Sequence, residues 1–402
     1  MRLFLFLFFC LSINSLAQKI TLSAKLQDRV TGEPLAFASI GLKAKSIGTI
    51  SNLQGEFDFH MPAEYRNEIV VVSMLGYERF EAPVWSLIDV KDLVILMDQS
   101  ATLLAEVVVF DSLSGGEILR TAWTRIPDNF PMKPYLLDGF YRDVKKVAGE
   151  YISMLEAAVK IYDDDYSEPR NKSRLRERVK LIEVRKSVGY ENKFTQYFGQ
   201  QNLLEDLLLH NNIRYRQLDA KDEFFELMKR EPDSYYNGHE VFVISNEKEF
   251  HLKVFIDKED YAIIRLDFEI ATSGENLASR KGLVSKYIGY KKTIDFKRYE
   301  GKMYLNYITV TSAEKWYDEK TNLLKFETEL IQHLLINEVY INTEERIGAT
   351  EKMKNYGLQY QDYPYDKIFW ENYNVIKETP IDRKILEDLE KHAPLEKQFE
   401  DN

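Results

Sequence analysis

The sequence predicts a multidomain protein in which a β-sandwich is followed by an α+β domain with a largely antiparallel sheet and flanking helices. Two observations carry this prediction. Turn residues separate short apolar runs near the start of the chain, and strand-length runs joined by tight turns fill residues 235–343. The chain has 402 residues, of which 45% are hydrophobic and 13% aromatic, so it has room for two or three domains with cores of their own.

The predicted sandwich spans residues 18–98 and consists of short strands separated by turns. Gly32 and Gly55 stand where tight turns need a positive φ, and Pro34 fixes φ and prevents the first turn from continuing into a ladder. The runs between the turns have the length and composition of strands; they are Ala36–Leu42, Glu56–Phe59, Glu68–Met74 and Leu93–Met97.

Several motifs of this stretch follow one another in a fixed order. They are Thr31-Gly32-Glu33-Pro34-Leu35, Gly48-Thr49, Gln54-Gly55-Glu56-Phe57 and Gly76-Tyr77. Together they resemble the carboxypeptidase-regulatory-like domain of Bacteroidetes envelope proteins. The resemblance implies a prealbumin- or Ig-like β-sandwich. It implies no catalytic activity, because the domain is related to a non-catalytic part of carboxypeptidases.

Residues 103–109 read Leu-Leu-Ala-Glu-Val-Val-Val and resemble the segment that follows this domain in SusC-like TonB-dependent receptors. In those receptors a plug and a barrel come next. Roughly 290 residues remain here, whereas a barrel of about 22 strands needs about twice that number. We therefore expect a secreted protein without plug or barrel, in which 99–116 is a linker with one strand and 117–402 is the α+β domain.

Met1–Ala17 predicts a secretory signal peptide. One basic residue, Arg2, precedes the apolar run Leu3–Leu11, which is too short to span a membrane, and small residues suit cleavage before Gln18. The single cysteine, Cys10, lies in this run, so the mature chain is expected to have no disulfide and no thiol nucleophile. We expect an exported protein of the periplasm or the outer membrane.

The charge of the chain bears on its partners. Its formal net charge is −11, which argues against a general nucleic-acid-binding protein. No stretch after the signal peptide is long and apolar enough to form a membrane-spanning helix. The expected partners are therefore an envelope protein, a lipid or a glycan.

Hydrophobic periodicity predicts the elements of the second domain. An apolar stripe predicts a helix over Ser114–Ile126 that ends at Pro127, and leucines at helical spacing predict another within Gln200–Asn212. A third helix would begin at Pro380, capped by Thr379. The predicted strands are Leu136–Lys146, Tyr151–Tyr162, Glu240–Ser245, Glu249–Ile256, Ala262–Ile270, Lys291–Tyr299, Lys302–Thr311 and Phe326–Thr343.

The first two of these strands read as a hairpin about Ala148-Gly149. Alternation along the second arm predicts one shared face for Tyr151, Ser153, Leu155, Ala157, Val159 and Ile161. Further on, Val254–Lys258 and Ala262–Leu266 resemble the sheet of LolA- and LolB-type lipoprotein carriers, in which a curved meander grips acyl chains. That resemblance implies a curved sheet lined by Phe and Tyr.

A basic run covers residues 170–186. As a strand it would project one row of cations, which could bind anionic lipid headgroups or polysaccharide; the row is Lys172, Arg174, Arg176, Arg178 and Lys180. A solvated strand face, partly neutralised by the preceding Asp163-Asp164-Asp165, is the favoured interpretation, since surface charge is the ordinary state of such residues.

Catalytic spacings are absent from the sequence. None of the six histidines belongs to an HxxE or HExxH motif, and no GxSxG elbow, glycine-rich phosphate loop or GxGxxG occurs. The sequence therefore predicts no catalytic residue, no cofactor and no metal site. His239 and His251 flank adjacent predicted strands, and folding could still bring this pair together with a carboxylate.

Two functions follow. The favoured one is a non-enzymatic cell-envelope protein, with a sandwich for protein contact and a C-terminal sheet for an apolar or anionic ligand. The alternative is an envelope hydrolase, for example a glycosidase, whose catalytic carboxylates carry no local motif. A groove lined by Tyr and Phe would favour the first function, and a cleft with two facing carboxylates would favour the second.

Overall fold

The computed structural model describes residues 19–100, 113–191, 193–199, 202–217, 222–246, 248, 250–271, 276–353, 357–361, 363–377, 380–391 and 393–400. The predicted signal peptide with Cys10, and the predicted strand at 103–109, lie outside these ranges. The division of the chain at residue 98 therefore stays a prediction.

Residues 19–100 form two facing sheets. Their strands are β1 (Lys19–Asp28), β2 (Ser39–Leu42), β3 (Gly48–Ile50), β4 (Glu56–Pro62), β5 (Ile69–Ser73), β6 (Phe80–Pro83) and β7 (Val94–Met97). One sheet has the order β4-β1-β7 and the other β3-β2-β5-β6. Both sheets contribute to one apolar core, with Leu22 and Phe57 from the first and Ile40 and Val72 from the second. This two-layer arrangement confirms the predicted sandwich.

The carboxylate of Asp28 organises the turn that follows β1. It accepts the backbone N–H groups of Val30 and Thr31 at 2.8 Å, the hydroxyl of Tyr77 at 2.9 Å and Nε2 of Gln99 at 2.6 Å. The Thr31 N–H and the Gln99 amide do most to hold the pKa of Asp28 well below its usual range. Two of the predicted motifs, the turn after β1 and the Gly-Tyr pair, thus meet at one carboxylate.

Because its folded pKa is depressed, Asp28 stabilises the sandwich above the unfolded pKa of about 3.9, and this contribution is lost as the pH falls below that value. We expect the urea midpoint of the wild type to drop between pH 5 and pH 2.5 more steeply than that of Asp28→Asn. Equal slopes for the two proteins would contradict this role of Asp28.

Gly32 and Gly55 both have positive φ, 72° and 75°, as the sequence predicts. They differ in their surroundings, because a β-carbon at Gly55 would lie 2.3 Å from the carbonyl oxygen of Leu26, while nothing lies within 4 Å at Gly32. Gly32→Ala should therefore lower the free energy of unfolding only by the cost of placing alanine in the left-handed region, about 1–2 kcal/mol. Gly55→Ala should lose clearly more free energy of unfolding, and equal losses in urea titrations would show that the contact with Leu26 relaxes.

Within the described residues from 135 onward, eleven strands form one large sheet. They are β8 (Tyr135–Val147), β9 (Glu150–Asp163), β10 (Arg178–Lys186), β11 (Lys229–Tyr236), β12 (His239–Asn246), β13 (His251–Asp257), β14 (Ile263–Ala271), β15 (Asn276–Arg280), β16 (Leu283–Tyr299), β17 (Lys302–Asp318) and β18 (Leu324–Ile341). The order is β10-β9-β8-β18-β17-β16-β14-β13-β12-β11, and β15 pairs with β16. The pairings are antiparallel, as the short connections predict.

The structure corrects two details of this sheet. The register of β8 and β9 shifts at Lys145 and Lys146, so that Ile152 has no partner and β9 carries a bulge. Tyr151 consequently packs with Met154 against the C-terminal helices, away from the core that holds Leu155. The prediction of one shared face from residue 151 to residue 161 is therefore wrong at its first member. In addition, β11 and β15 were not predicted.

Seven helices flank the sheets in the described residues. They are α1 (Gly115–Thr124), α2 (Ile126–Asn129), α3 (Leu203–Leu209), α4 (Asp222–Glu226), α5 (Lys367–Glu371), α6 (Pro380–Leu389) and α7 (Leu395–Glu400). Ser114 caps α1 in a capping box with Glu117, and Pro127 stands in the first turn of α2. The predicted cap Thr379 lies outside the described residues. None of the described helices has the length and apolar character of a membrane span.

The sandwich packs against the large sheet. The ring of Phe37 stacks on that of Tyr307 with centroids 5.6 Å apart, and the N–H of Val339 in β18 donates to the carbonyl of Ser46 at 2.9 Å. The segment after α5 joins both parts, because Lys377 forms an ion pair of 2.9 Å with Asp58 of β4. One apolar cluster combines all three; it holds Ile50, Phe140, Ala158, Tyr307, Leu335, Trp370 and Ile376.

Candidate functional site

Three central strands of the large sheet form the floor of a cavity of about 580 Å³. Side chains two residues apart on a strand share a face, so cross-strand neighbours in β16, β17 and β18 form parallel rows. The rows are Tyr287–Glu314–Thr328, Tyr290–Ser312–Leu330 and Lys292–Val310–Gln332. A register shift between Tyr287 and Gly289 lets Tyr287 and Tyr290 line the same cavity.

Helix α3 and the segment before it cover this floor. The Asn202 side chain accepts the N–H of Glu205 and so begins the helix, which buries Leu204 and Leu207 in the main core. Leu203 and Leu209 line the cavity instead, so the leucine-rich helix serves both surfaces. A cavity of this size falls within the range of ligand pockets, about 300–1,000 Å³.

Aromatic rings form much of the wall. Tyr287 and Tyr290 stack with centroids 6.3 Å apart, and Tyr197 packs edge-on against the buried Trp316 at 4.9 Å. Phe198 completes the aromatic lining from the covering segment. The sequence predicts a sheet lined by Tyr and Phe. Of the four rings in this cavity, those of Tyr287 and Tyr290 lie on the sheet, and those of Tyr197 and Phe198 come from the covering segment.

One edge of the cavity is polar. Nδ1 of His210 lies 3.0 Å from the hydroxyl of Tyr290, and the Lys292 ammonium donates to the side-chain oxygen of Asn212. Burial, and secondarily the charge of Lys292, lower the pKa of His210 to about 4, so its imidazole is neutral at pH 7. Burial also lowers the pKa of Lys292 to about 8. This edge offers hydrogen bonds from neutral groups, and the ammonium of Lys292, mostly charged at pH 7, lies beside it outside the lining.

Two carboxylates line the same cavity, Asp206 from α3 and Glu314 from β17. Burial raises the pKa of Glu314. Sequence reasoning identified neither residue, nor the floor rows. The available signal was the alternation of Val310, Ser312 and Glu314, which places polar side chains on a face that lies against the protein interior.

The basic run does not form a single strand. Strand β10 begins at Arg178, and Arg176 is held before it by an ion pair of 2.9 Å with Asp165 and by its N–H donating to the Tyr215 hydroxyl. Lys180 pairs with Glu351 at 2.7 Å. The five predicted cations therefore do not project as one row.

The cations of this run have separate surroundings. Lys172 pairs with Glu168 at 2.8 Å and lines the cavity under α3. The guanidinium of Arg178 donates to the carbonyl of Ile347 at 3.1 Å. Arg174 is exposed. Anion binding by this set stays a prediction.

His239 and His251 do not converge. Strands β12 and β13 pair from Val241–Asp257 to Asn246–Leu252, which puts the two histidines at opposite ends of the ladder, more than about 20 Å apart. The expectation that folding could join this pair in one site is therefore wrong, because a short hairpin turn fixes the antiparallel register.

His239 instead meets two carboxylates of the turn after β13. Its Nδ1 lies 3.5 Å from Oδ2 of Asp257 and 3.3 Å from Oε2 of Glu259, so these three side chains could hold a metal ion. The same Oδ2 of Asp257 pairs with the guanidinium of Arg298 at 3.2 Å, and this fixed positive charge opposes a second cation there.

Comparison with known proteins identifies the N-terminal part of the chain. Residues 23–109 match the CarboxypepD_reg-like domain family. A stretch of 99 residues is 36% identical to the TonB-dependent receptor SusC of Bacteroides thetaiotaomicron, covering 25% of this chain and 9% of the receptor. The match thus spans a small fraction of that receptor's length. It agrees with the domain expected from the motifs at residues 31–77.

Solved structures resemble the rest of the chain only distantly. A LolA superfamily protein from Nitrosomonas europaea aligns over 60% of this chain and 99% of its own, with 11% identity and a TM-score of 0.22. A chain of the Pseudomonas aeruginosa MucA/MucB complex aligns over 57% of this chain and 99% of its own, with 8% identity and a TM-score of 0.18. At these TM-scores the likeness supports no conclusion about a ligand.

The turn after β13 permits a direct test of metal binding. We expect the purified protein to contain less than stoichiometric zinc and to hydrolyse no peptide, since Arg298 already neutralises Asp257 and Glu259 is largely exposed. Elemental analysis and peptidase assays of the wild type and His239→Ala provide the measurement. Stoichiometric zinc that disappears in His239→Ala together with peptidase activity would contradict the prediction, and His251→Ala is the control.

Proposed function

We propose that this protein is a non-enzymatic protein of the cell envelope that binds a small amphipathic ligand between strands β16–β18 and helix α3. The observation that carries the proposal is the composition of that cavity. Three leucines, one valine and four aromatic rings form its apolar lining, while its polar lining includes Lys172, His210, Gln332, Asp206 and Glu314. Such a division suits a ligand with an apolar body and a polar or anionic end.

The envelope context rests on two supports. The sequence predicts an export signal at residues 1–17, and the domain at residues 23–109 is shared with a protein named as a TonB-dependent receptor. We place the mature protein in the periplasm or at the outer membrane. The sandwich would contact a protein partner there, and its edge strand β7 exposes the apolar side chains of Val94 and Leu96.

The protonation states inside the cavity favour recognition through hydrogen bonds. A neutral imidazole at His210 and the Tyr290 hydroxyl can each donate or accept, depending on the tautomer. Lys172 adds a positive charge at the edge, where Glu168 shares it. These groups can bind an uncharged headgroup through hydrogen bonds, or a carboxylate beside Lys172.

One observation favours the alternative, a hydrolase. Asp206 and Glu314 line the same cavity, and burial raises the pKa of Glu314, which is the property of a general acid in glycoside hydrolysis. We expect no turnover of aryl glycosides by the wild type. Hydrolysis that is lost in Glu314→Gln but retained in the exposed-site variant Glu319→Gln would favour the hydrolase.

The binding proposal predicts the effect of filling the cavity. In Leu330→Trp the larger side chain would occupy space between α3 and the floor, and we expect the dissociation constants for laurate and for octyl glucoside to rise at least tenfold, about 1.4 kcal/mol. Isothermal titration calorimetry measures both.

Leu324→Trp is the matched control, because Leu324 lies on the same strand, is 48% exposed and does not line the cavity. It should bind as the wild type does. Wild-type affinity in Leu330→Trp for both ligands, or no binding of either ligand by the wild type, would overturn the proposal.

A further inference from the structure

A second cavity, of about 490 Å³, lies between the sandwich and one end of the large sheet. Its sandwich wall is an outer face of the sheet β3-β2-β5-β6, where Gly48, Gly41, Val71 and Glu81 stand side by side on adjacent strands. The opposite wall comes from the ends of strands in the large sheet, including residues 297–299 of β16 and Glu300 in the tight turn that follows. This cavity takes no part in the function proposed above.

A pair of glycines makes room for a lysine in this wall. Gly41 and Gly48 are cross-strand partners, so two adjoining positions of the sandwich sheet carry no side chain. A β-carbon at Gly41 would lie 2.5 Å from Nζ of Lys297, and one at Gly48 would lie 3.4 Å from it. The ammonium group of the large sheet thus occupies a depression that only glycine permits.

The half-buried ammonium of Lys297 has no counter-charge in direct contact. Among the residues that the structure describes, no carboxylate forms an ion pair with this ammonium and no acceptor takes a hydrogen bond from it. Its Nζ lies 5.7 Å from the ring centroid of Tyr299, and Asp295, on the same strand, acts on it only through space. An ammonium that is partly removed from water and has no counter-charge is unfavourable. Burial accordingly lowers the pKa of Lys297 to about 8, which still leaves the group mostly charged at pH 7.

The rest of the cavity is also rich in positive charge. Its lining holds five basic side chains and three acidic ones, although the whole chain has a net charge of −11; they are Lys43, Lys45, Arg79, Lys297 and Arg298 against Glu81, Asp257 and Glu300. Lys43 and Arg79 share the single carboxylate of Glu81, at 2.9 and 2.7 Å. One negative charge therefore serves two cations beside the unpaired Lys297.

We propose that this cavity binds the carboxylate or phosphate group of a small ligand, with Lys297 at its floor and Lys43 and Arg79 nearer to solvent. A bound oxyanion would give Lys297 its missing counter-charge and would share Lys43 and Arg79 with Glu81 through charge-assisted hydrogen bonds. Because both walls contribute, the ligand would also fasten the sandwich to the large sheet and stabilise the folded chain by mass action.

The test uses lysine acetylation of the full-length mature protein followed by mass spectrometry at constant ionic strength. The probes are inorganic phosphate and malonate, with sodium chloride as the balancing salt. We expect saturating phosphate or malonate to slow the modification of Lys297 at least fivefold. Lys291, on the same strand but largely exposed and paired with Glu269, is the internal control and should react at an unchanged rate.

Melting temperatures of Lys297→Met and Lys291→Met extend the test. The anion that protects Lys297 should raise the melting temperature of the wild type and of Lys291→Met but not that of Lys297→Met. Protection by phosphate alone assigns a phosphate-bearing ligand, and protection by malonate alone assigns a carboxylate. No protection by either anion, or an equal thermal shift in all three proteins, would overturn the proposal.

Discussion

The carboxylate of Glu156 lies between two guanidiniums that hold the C-terminal segment against the large sheet. Arg142 of β8 approaches one of its oxygens at 2.5 Å and Arg185 of β10 the other at 2.5 Å, and all three side chains are largely buried. Burial alone would raise the pKa of Glu156, but the two guanidiniums outweigh it and lower the pKa. Breaking one member would leave an unpaired buried charge, which is strongly destabilising.

The same arginines carry the C-terminal segment to its place. Arg185 lies over the ring of Trp370 at 4.3 Å, and Arg142 donates to the carbonyl of Ile376. One residue further, Lys377 pairs with Asp58 of the sandwich. A buried charge cluster in the large sheet thus holds the segment that reaches the sandwich through Lys377, in addition to the direct contacts between sandwich and sheet. The cavity under α3 is built from β16–β18 and does not need the sandwich.

The sequence was most informative where the chemistry is local. The sandwich could be predicted because its turns depend on neighbouring residues, such as the positive φ of Gly32 and Gly55. The candidate sites could not be predicted from the sequence, because the pairing of strands brings together residues that are far apart in the chain. Gly41 of the sandwich lies against Lys297 of the large sheet. Helix α3 ends at Leu209, and the first of the strands that it covers begins only at Leu283. A single bulge in β9 likewise redirected Tyr151, which alternation alone could not show.

The pattern on β17 and β18 argues that the cavity under α3 is a feature of the fold rather than a packing defect. A floor that served only as core would be apolar, since polar groups removed from water must find partners. Gln332 finds them in the hydroxyl of Tyr141 and the carbonyl of Leu203, and Thr328 accepts the indole N–H of Trp316. These contacts fix the floor and the start of the covering helix in one arrangement. The chain therefore orders a polar and aromatic surface around an open volume, which is the construction expected of a binding site.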